Sequence, residues 1–290
     1  MIEGQEDVTW EQWMALARAC EEYGVDGLFR SDHYRGSIRR PGGSLDAWAT
    51  LAGLAALTRT IRLGTMVSPV TFRQAAVLAK NVVTVDHISG GRAELGIGAG
   101  WNAAEHAEHD IPFPPTRERV RMLTQQVETI VRQWTETADP KPVQRPHPPL
   151  IVGGSAKPGT LAPAVRYADE YNTFGADLDE LRVRRERLDG ACERAGRDPS
   201  SIGFTVMTTF VAAENRSGLQ ENLRRVLGLL GRGGDAPASW IVGTTEQVAE
   251  RLHEYADAGV DGVYLQHLAH EDLETVALIG GRLVPLVSTT

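Results

Sequence analysis

The sequence predicts a parallel (β/α)8 barrel, and three observations carry that prediction. Apolar, strand-like runs alternate with helical patterns along the whole chain. Seven clear strands appear, and MIEGQ at the start reads as the end of an eighth. The strand-like runs end in glycine, histidine or polar residues. That is the distribution expected where barrel strands open into site-bearing loops. The 290 residues suit one barrel, and no linker separates two units, so 1–290 is read as a single domain.

The elements follow in order. TWEQWMALARACEEYG (9–24) is amphipathic: Trp10, Trp13, Leu16, Ala17 and Cys20 recur at helical spacing, and Thr9 can cap. VDGLF (25–29) is a strand, and DAWATLAGLAALT (46–58) a helix opened by Asp46. IRLGTMV (61–67) is a strand, and 73–89 a largely apolar helix stopped by Gly90 and Gly91. AELGIG (93–98) is the fourth strand of the barrel, followed after a proline-bearing loop by a long helix at 117–134. Strands are then expected at 148–154, 169–175, 202–213 and 261–268, with helices at 158–168, 178–196 and 245–260. Residues 272–287 close the chain. Residues 214–240 are an insertion after strand seven, read either as a lid or as a plain surface excursion.

Composition excludes several functions. Net charge is −8 with no long basic run, which argues against a nucleic-acid or anionic-membrane surface. No apolar run approaches the roughly 20 residues that span a bilayer. No basic-then-apolar leader opens the chain. Cys20 and Cys192 make neither a disulfide framework nor a metal cluster, and the expected compartment is the cytoplasm. His106 and His109 stand without a matching cluster, so no metal is expected.

Two glycine turns and one histidine carry the chemistry. AELGIGAGWN has the spacing G-x-G-x-G, with Trp101 where a dinucleotide fingerprint needs its third glycine. Prolines at 112, 114 and 115 further delay the next long helix. The Rossmann reading therefore fails. Gly98 and Gly100 either let backbone approach a ligand or make a tight strand-to-loop turn. In IVGGSAKPGT, Gly153, Gly154 and Ser155 can donate to a phosphate beside a helix N-terminus, with Lys157 and Thr160 assisting. Barrel strands four and five are neighbours, so the two turns are expected to form one continuous anion site. His33, in SDHYRG, follows a strand end and suits proton transfer or hydrogen bonding to a reactive ring. Asp32 is expected to orient it or the neighbouring backbone.

The stretch IRLGTMVSPVTFRQAAVLAKNVVTVDHISGGRAELGIGAGWNAAEH, with DIPFPP and RERVRML behind it, resembles the bacterial luciferase-like monooxygenase superfamily. More narrowly it resembles the branch that uses the deazaflavin coenzyme F420. TWEQWMALARACEEYGVDGLFRSDHY, PLIVGGSAKPGTLAPAVRYADEYNTFG and AGVDGVYLQHL extend the resemblance over nearly the whole chain. It implies a (β/α)8 barrel with an insertion after strand seven, often a homodimer, with a flavin or deazaflavin at the C-terminal mouth. It implies ring contacts at Ser31, Asp32 and His33. It also implies a non-proline cis peptide behind the ring among Met66, Val67 and Ser68. Phosphate and ribityl contacts would fall on Gly98, Ala99, Gly100, Asn102, Gly153, Gly154 and Ser155. The catalytic pair would be His33 and Asp32, and the substrate side Tyr34, Trp101 and His267.

Two departures stand out. The first strand is clipped, which implies either a start upstream or a short first stave. Trp101 stands where the F420-dependent sugar-phosphate dehydrogenases place an acid, and suits stacking on an apolar or aromatic substrate. The resemblance thus implies hydride transfer between coenzyme F420 and a small organic substrate. The alternatives are an FMN-dependent two-component monooxygenase served by a separate reductase, and a flavin-binding barrel without catalysis.

Overall fold

The first helix starts where its side chains can satisfy its free N–H groups. Thr9 and Gln12 form a reciprocal capping box, with the Gln12 N–H 3.2 Å from Thr9 Oγ1 and the Thr9 N–H 2.8 Å from Gln12 Oε1. Helix α1 (Trp10–Tyr23) ends at Gly24, whose φ of 70° is the left-handed turn that glycine adopts freely. The computed structural model describes residues 1–36, 38 and 42–287. After α1 come β1 (Gly27–Arg30), α2 (Ala47–Leu57) and β2 (Arg62–Thr65). Next are β3 (Ser68–Pro69), α3 (Ala75–Ser89), β4 (Ala93–Gly98), α4 (Ala103–Glu108) and α5 (Thr116–Arg132). The middle of the chain supplies β5 (Leu150–Gly153), α6 (Pro158–Tyr167), β6 (Glu170–Phe174), α7 (Leu178–Arg194) and β7 (Gly203–Ala213). The remainder is α8 (Arg216–Leu229), β8 (Ile241–Thr244), α9 (Thr245–Asp257), β9 (Gly262–Gln266), α10 (Leu273–Leu278) and α11 (Val284–Val287).

The strands pair in parallel in the order β1-β2-β4-β5-β6-β7. β9 lies along the first half of β7, from Thr205 opposite Gly262 to Thr209 opposite Gln266. The ring then closes through two residues. Met1 donates its amino group to the Leu265 carbonyl at 2.9 Å, and its own carbonyl accepts from the His267 N–H. Ile2 exchanges hydrogen bonds with Phe29 and Ser31. Met1 and Ile2 thus bridge β9 and β1. Below them, on the N-terminal side of the barrel, a cavity of about 660 Å³ remains.

Side-chain alternation along the strands makes two cores. Leu28, Leu63, Leu95, Leu150, Val152 and Phe204 belong to the large core shared with the helices. Phe29, Met66, Ile151 and Met207 form a second, smaller cluster. Neighbours such as Leu28 and Phe29, or Leu150 and Ile151, therefore serve opposite faces, as the strand period of two requires. Burying each such side chain contributes about 1.5–3 kcal/mol.

The insertion differs from the expectation in one respect. It is mostly α8, and the chain then returns as β8, a strand absent from the expected series. β8 pairs with the far half of β7, Phe210 opposite Ile241 to Ala213 opposite Thr244. Val211, Val226 and Leu268 make a satellite core here, with Leu219, Leu223, Leu230 and Trp240 packed on it. β7 itself ends at Ala213, where the expected strand over 202–213 ends. Among the described residues no helix is long and apolar enough to cross a membrane.

Candidate active site

The C-terminal ends of the strands bring most of the sequence-predicted residues to one mouth. Ser31, Asp32 and His33 follow β1; Met66 and Val67 link β2 to β3; Ala99, Gly100 and Trp101 follow β4; Gly154 and Ser155 follow β5. The Met66–Val67 peptide is cis. That is the non-proline cis peptide implied for this segment.

Val67 explains the glycines. A Cβ on Gly98 would lie 2.7 Å from Val67 Cγ2, and one on Gly153 would lie 3.1 Å from Val67 Cγ1. The two glycine turns are neighbours, but the Val67 side chain occupies the space between them. The missing Cβ atoms of Gly98 and Gly153 therefore make room for a valine. Gly100 is different, because its φ of 77° is a backbone need. Gly154 is hemmed in by the Tyr171 hydroxyl, 2.5 Å from where its Cβ would stand. Val67, partly exposed, together with buried Met66 makes an apolar platform.

His33 has a partner that sequence reasoning missed. Its Nδ1 lies 2.7 Å from Oε1 of Glu105 on α4, whose side chain is 1% exposed. The other Glu105 oxygen accepts the Tyr34 N–H at 3.2 Å. Burial disfavours the charged imidazole. The bonded Glu105 carboxylate opposes it, helped by Glu3 and Asp32, and the net effect holds His33 above its ordinary value. Among the described residues, His33 Nε2 makes no hydrogen bond. The His33 ring also meets Trp101 edge-on, centroids 5.6 Å apart, and Trp101 is 64% exposed. Glu105 stands 72 residues from His33 in sequence, and no local signal joins them.

Asp32 does other work than expected. Its Oδ2 takes Arg73 Nη1 at 2.5 Å and the Ser68 hydroxyl at 2.6 Å, and it makes no bond to His33. Arg73 also reaches Asp46 Oδ2 at 2.5 Å and the Tyr34 hydroxyl at 3.2 Å. The orienting role toward His33 therefore passes from Asp32 to Glu105, and Asp32 anchors the loops beneath. Asp32 Oδ1 is buried with no donor among the described residues. The Tyr34 ring stacks on Phe72, centroids 4.6 Å apart. Burial pushes its phenol up to about 12.

Other expected contacts are engaged within the protein. Ser31 Oγ accepts the Gly4 N–H and donates to Gln5. The Ala99 carbonyl takes Arg119, and Asn102 caps α4 while its carbonyl holds His106. His106 in turn reaches Thr71 Oγ1 at 2.6 Å, so both its ring nitrogens are committed. His267 is buried with Nε2 on the Asp272 carbonyl at 3.0 Å, and burial lowers it to about 4. A neutral, buried ring with that bond does not belong to a substrate-facing surface, which corrects its expected place.

These residues fit a flat ring on a phosphate tail. Met66 and Val67 offer the apolar face. The N-terminus of α6 has no side-chain cap, which leaves the Gly159 N–H for an anion, with Ser155 in the turn just before the helix. Residues 2–237 match the luciferase-like monooxygenase family model.

The chain belongs to the luciferase-like monooxygenase family.

This luciferase-like chain is 31% identical over 228 residues to an F420-dependent glucose-6-phosphate dehydrogenase of Kineococcus radiotolerans, covering 72% of this chain and 66% of that one. It is 26% identical over 259 residues to an FMNH(2)-dependent dimethylsulfone monooxygenase of Pseudomonas putida, covering 73% and 70%. The solved structure of an F420-dependent secondary alcohol dehydrogenase with an F420-acetone adduct superposes with a TM-score of 0.80 at 18% identity, covering 99% and 97%. The fold is therefore the luciferase-like barrel, and the family includes both F420-dependent and FMN-dependent enzymes.

Proposed function

We propose that this luciferase-like chain is a coenzyme F420-dependent oxidoreductase acting on a small organic substrate. The observation that carries the reading is His33. Its ring is fixed through Nδ1 by a buried carboxylate, with Nε2 unbonded among the described residues, at the mouth that also holds the apolar Met66–Val67 platform. When bound, the deazaflavin supplies hydride transfer at C5 of its ring. The chain's residues do the rest. Met66 and Val67 back the ring, and the N-terminus of α6 with Ser155 holds the phosphate tail. His33 Nε2 takes the hydroxyl proton of an alcohol as its carbon gives up hydride, and returns it in the reverse direction. Trp101 covers the substrate side and keeps water from His33. Its apolar surface, in place of a carboxylate, favours an uncharged substrate. The higher identity to an F420-dependent relative than to the FMNH(2)-dependent one supports this choice.

Titrating the purified protein separately with F420 and FMN, followed by fluorescence, tests the cofactor. Binding of F420 with none of FMN is expected. FMN binding alone would make the chain a two-component monooxygenase served by a reductase. For the proton, His33→Ala should lower turnover about 100-fold or more with F420 affinity little changed; unchanged turnover would remove His33 from the mechanism.

A further inference from the structure

We propose that Glu105 is the positioning residue of this site, and that the His33–Glu105 couple acts as one unit. The inference rests on the reading of His33 above and adds what makes that histidine competent. Three observations carry it. First, the 2.7 Å contact is between Glu105 Oε1 and His33 Nδ1. A carboxylate accepts and cannot donate, so Nδ1 must carry the proton, and Nε2 of the neutral ring is then the lone-pair nitrogen. The tautomer a base needs is thereby selected.

Second, Glu105 is fixed at both oxygens. Oε2 accepts the Tyr34 N–H, so one carboxylate ties α4 to the loop after β1 and sets the ring's direction as well as its tautomer. Third, α4 itself is pinned. His106, the next residue, is committed to the Asn102 carbonyl and to Thr71 Oγ1, and lies against Phe113 and Phe72. A six-residue helix has little stability alone, so these contacts hold Glu105 in place. The charged neighbours of His33 are Glu105 on α4, Glu3 near the N-terminus and Asp32 beside it, with Asp32 already paired to Arg73. Glu105 alone among them bonds the ring.

The step balances without further reactants. A bound deazaflavin would accept the hydride of the carbinol carbon, and the hydroxyl proton released with it would join His33 Nε2. The resulting imidazolium keeps its Nδ1–H on Glu105, whose negative charge stabilises it. In the reverse direction the same proton returns to the carbonyl oxygen.

The test uses the purified protein with no cofactor added. Proton and nitrogen NMR of ring-labelled histidine, assigned with His33→Ala, follows His33 in wild type, Glu105→Gln and Glu105→Asp. Glu105→Gln should lose the downfield Nδ1–H signal and lower the His33 titration midpoint, while Glu105→Asp retains part of both. In turnover, Glu105→Gln should reduce kcat about 10–100-fold with KM within about two-fold, and the acidic limb of the oxidation profile should move to lower pH. The same His33 midpoint in wild type and Glu105→Gln would overturn the proposal, as would a kcat change without any change in the NMR signature. If Glu105→Gln does not fold, Glu105→Asp alone decides by the same two NMR signals. Because these signals are read without cofactor, they stand even if the protein proves to bind FMN. Failure of F420 binding with the expected shift would reject the cofactor reading and keep Glu105.

Discussion

A Cβ placed on Gly98 meets a methyl group of Val67, whereas one placed on Gly96 meets the backbone carbonyl of Thr65. A side chain can turn aside, but a sheet backbone cannot without breaking its ladder. Gly98→Ala should therefore destabilise by about 1–3 kcal/mol, the usual range for overpacking. Val67→Ala in the same chain should recover much of that loss. Gly96→Ala should cost more and gain nothing from Val67→Ala. Denaturant unfolding of the three variants reads all this, and equal rescue of both glycine variants would sink the argument. The case also shows what a sequence can tell at this scale. The glycine pattern was plain, but a missing side chain does not say which atom fills the space. On the Cβ side the space at Gly98 and Gly153 is taken by Val67, from the link between β2 and β3. Glu105 was hidden for the opposite reason. In a short polar helix it resembles any solvated acid, and only the fold carries it to His33. The residue that looked like the orienter, Asp32, is adjacent in sequence but turns to Arg73.

Helix α2 begins at a residue with two duties. Asp46 Oδ1 caps the helix by accepting the Ala49 N–H at 2.9 Å, and Oδ2 pairs with Arg73. Burial works against its charge, but the Ala49 N–H and Arg73 outweigh this and hold the carboxyl below its ordinary value. The stability it contributes is present above the unfolded pKa and is lost as pH falls through the lower folded one. Asp46→Asn should keep the cap and lose the ion pair, at well under 1 kcal/mol, because that carboxylate is 42% exposed and screened. Asp46→Ala should lose both, about 1–2 kcal/mol in all. Melting temperatures at neutral pH compare the two; a larger loss for Asp46→Asn would show that the ion pair, not the cap, holds α2. Caps like this one made most elements legible. Thr9, Asp46, Gly24 and Gly90 are local signals, and the boundaries of α1, α2, α3 and β4 follow from them within a residue or two. β8 was not legible, because IVGT is short and is set by pairing with β7 across an inserted helix.

At the scale of the molecule, alternation of strand and helix was enough to predict the barrel, because each unit packs on its neighbour in sequence. Closure is different, since it joins strands far apart in sequence, β1 and β9, here through Met1 and Ile2. Beneath that bridge the cavity is lined by Glu94 and Glu170, with Arg62 and Tyr264 beside them. Glu94 is paired with Arg62. Glu170 accepts from the Thr205 hydroxyl at 2.5 Å and from the Tyr264 hydroxyl at 3.2 Å, but among the described residues has no cation of its own. Burial, with the charge of Glu94 adding to it, pushes Glu170 up to about 7 despite those two hydrogen bonds. An acid whose folded pKa is raised binds its proton more tightly folded than unfolded. Its contribution is complete below the unfolded value of 4.5 and is lost as pH rises through about 7. Glu170→Gln keeps an acceptor for both hydroxyls and removes the charge. The variant should match wild type near pH 4 and exceed it by about 1–3 kcal/mol near pH 8. Denaturant midpoints measured across that range decide it. Parallel curves for the two proteins would mean that water entering through the cavity keeps Glu170 at an ordinary pKa, and that the barrel floor is as wet as its mouth.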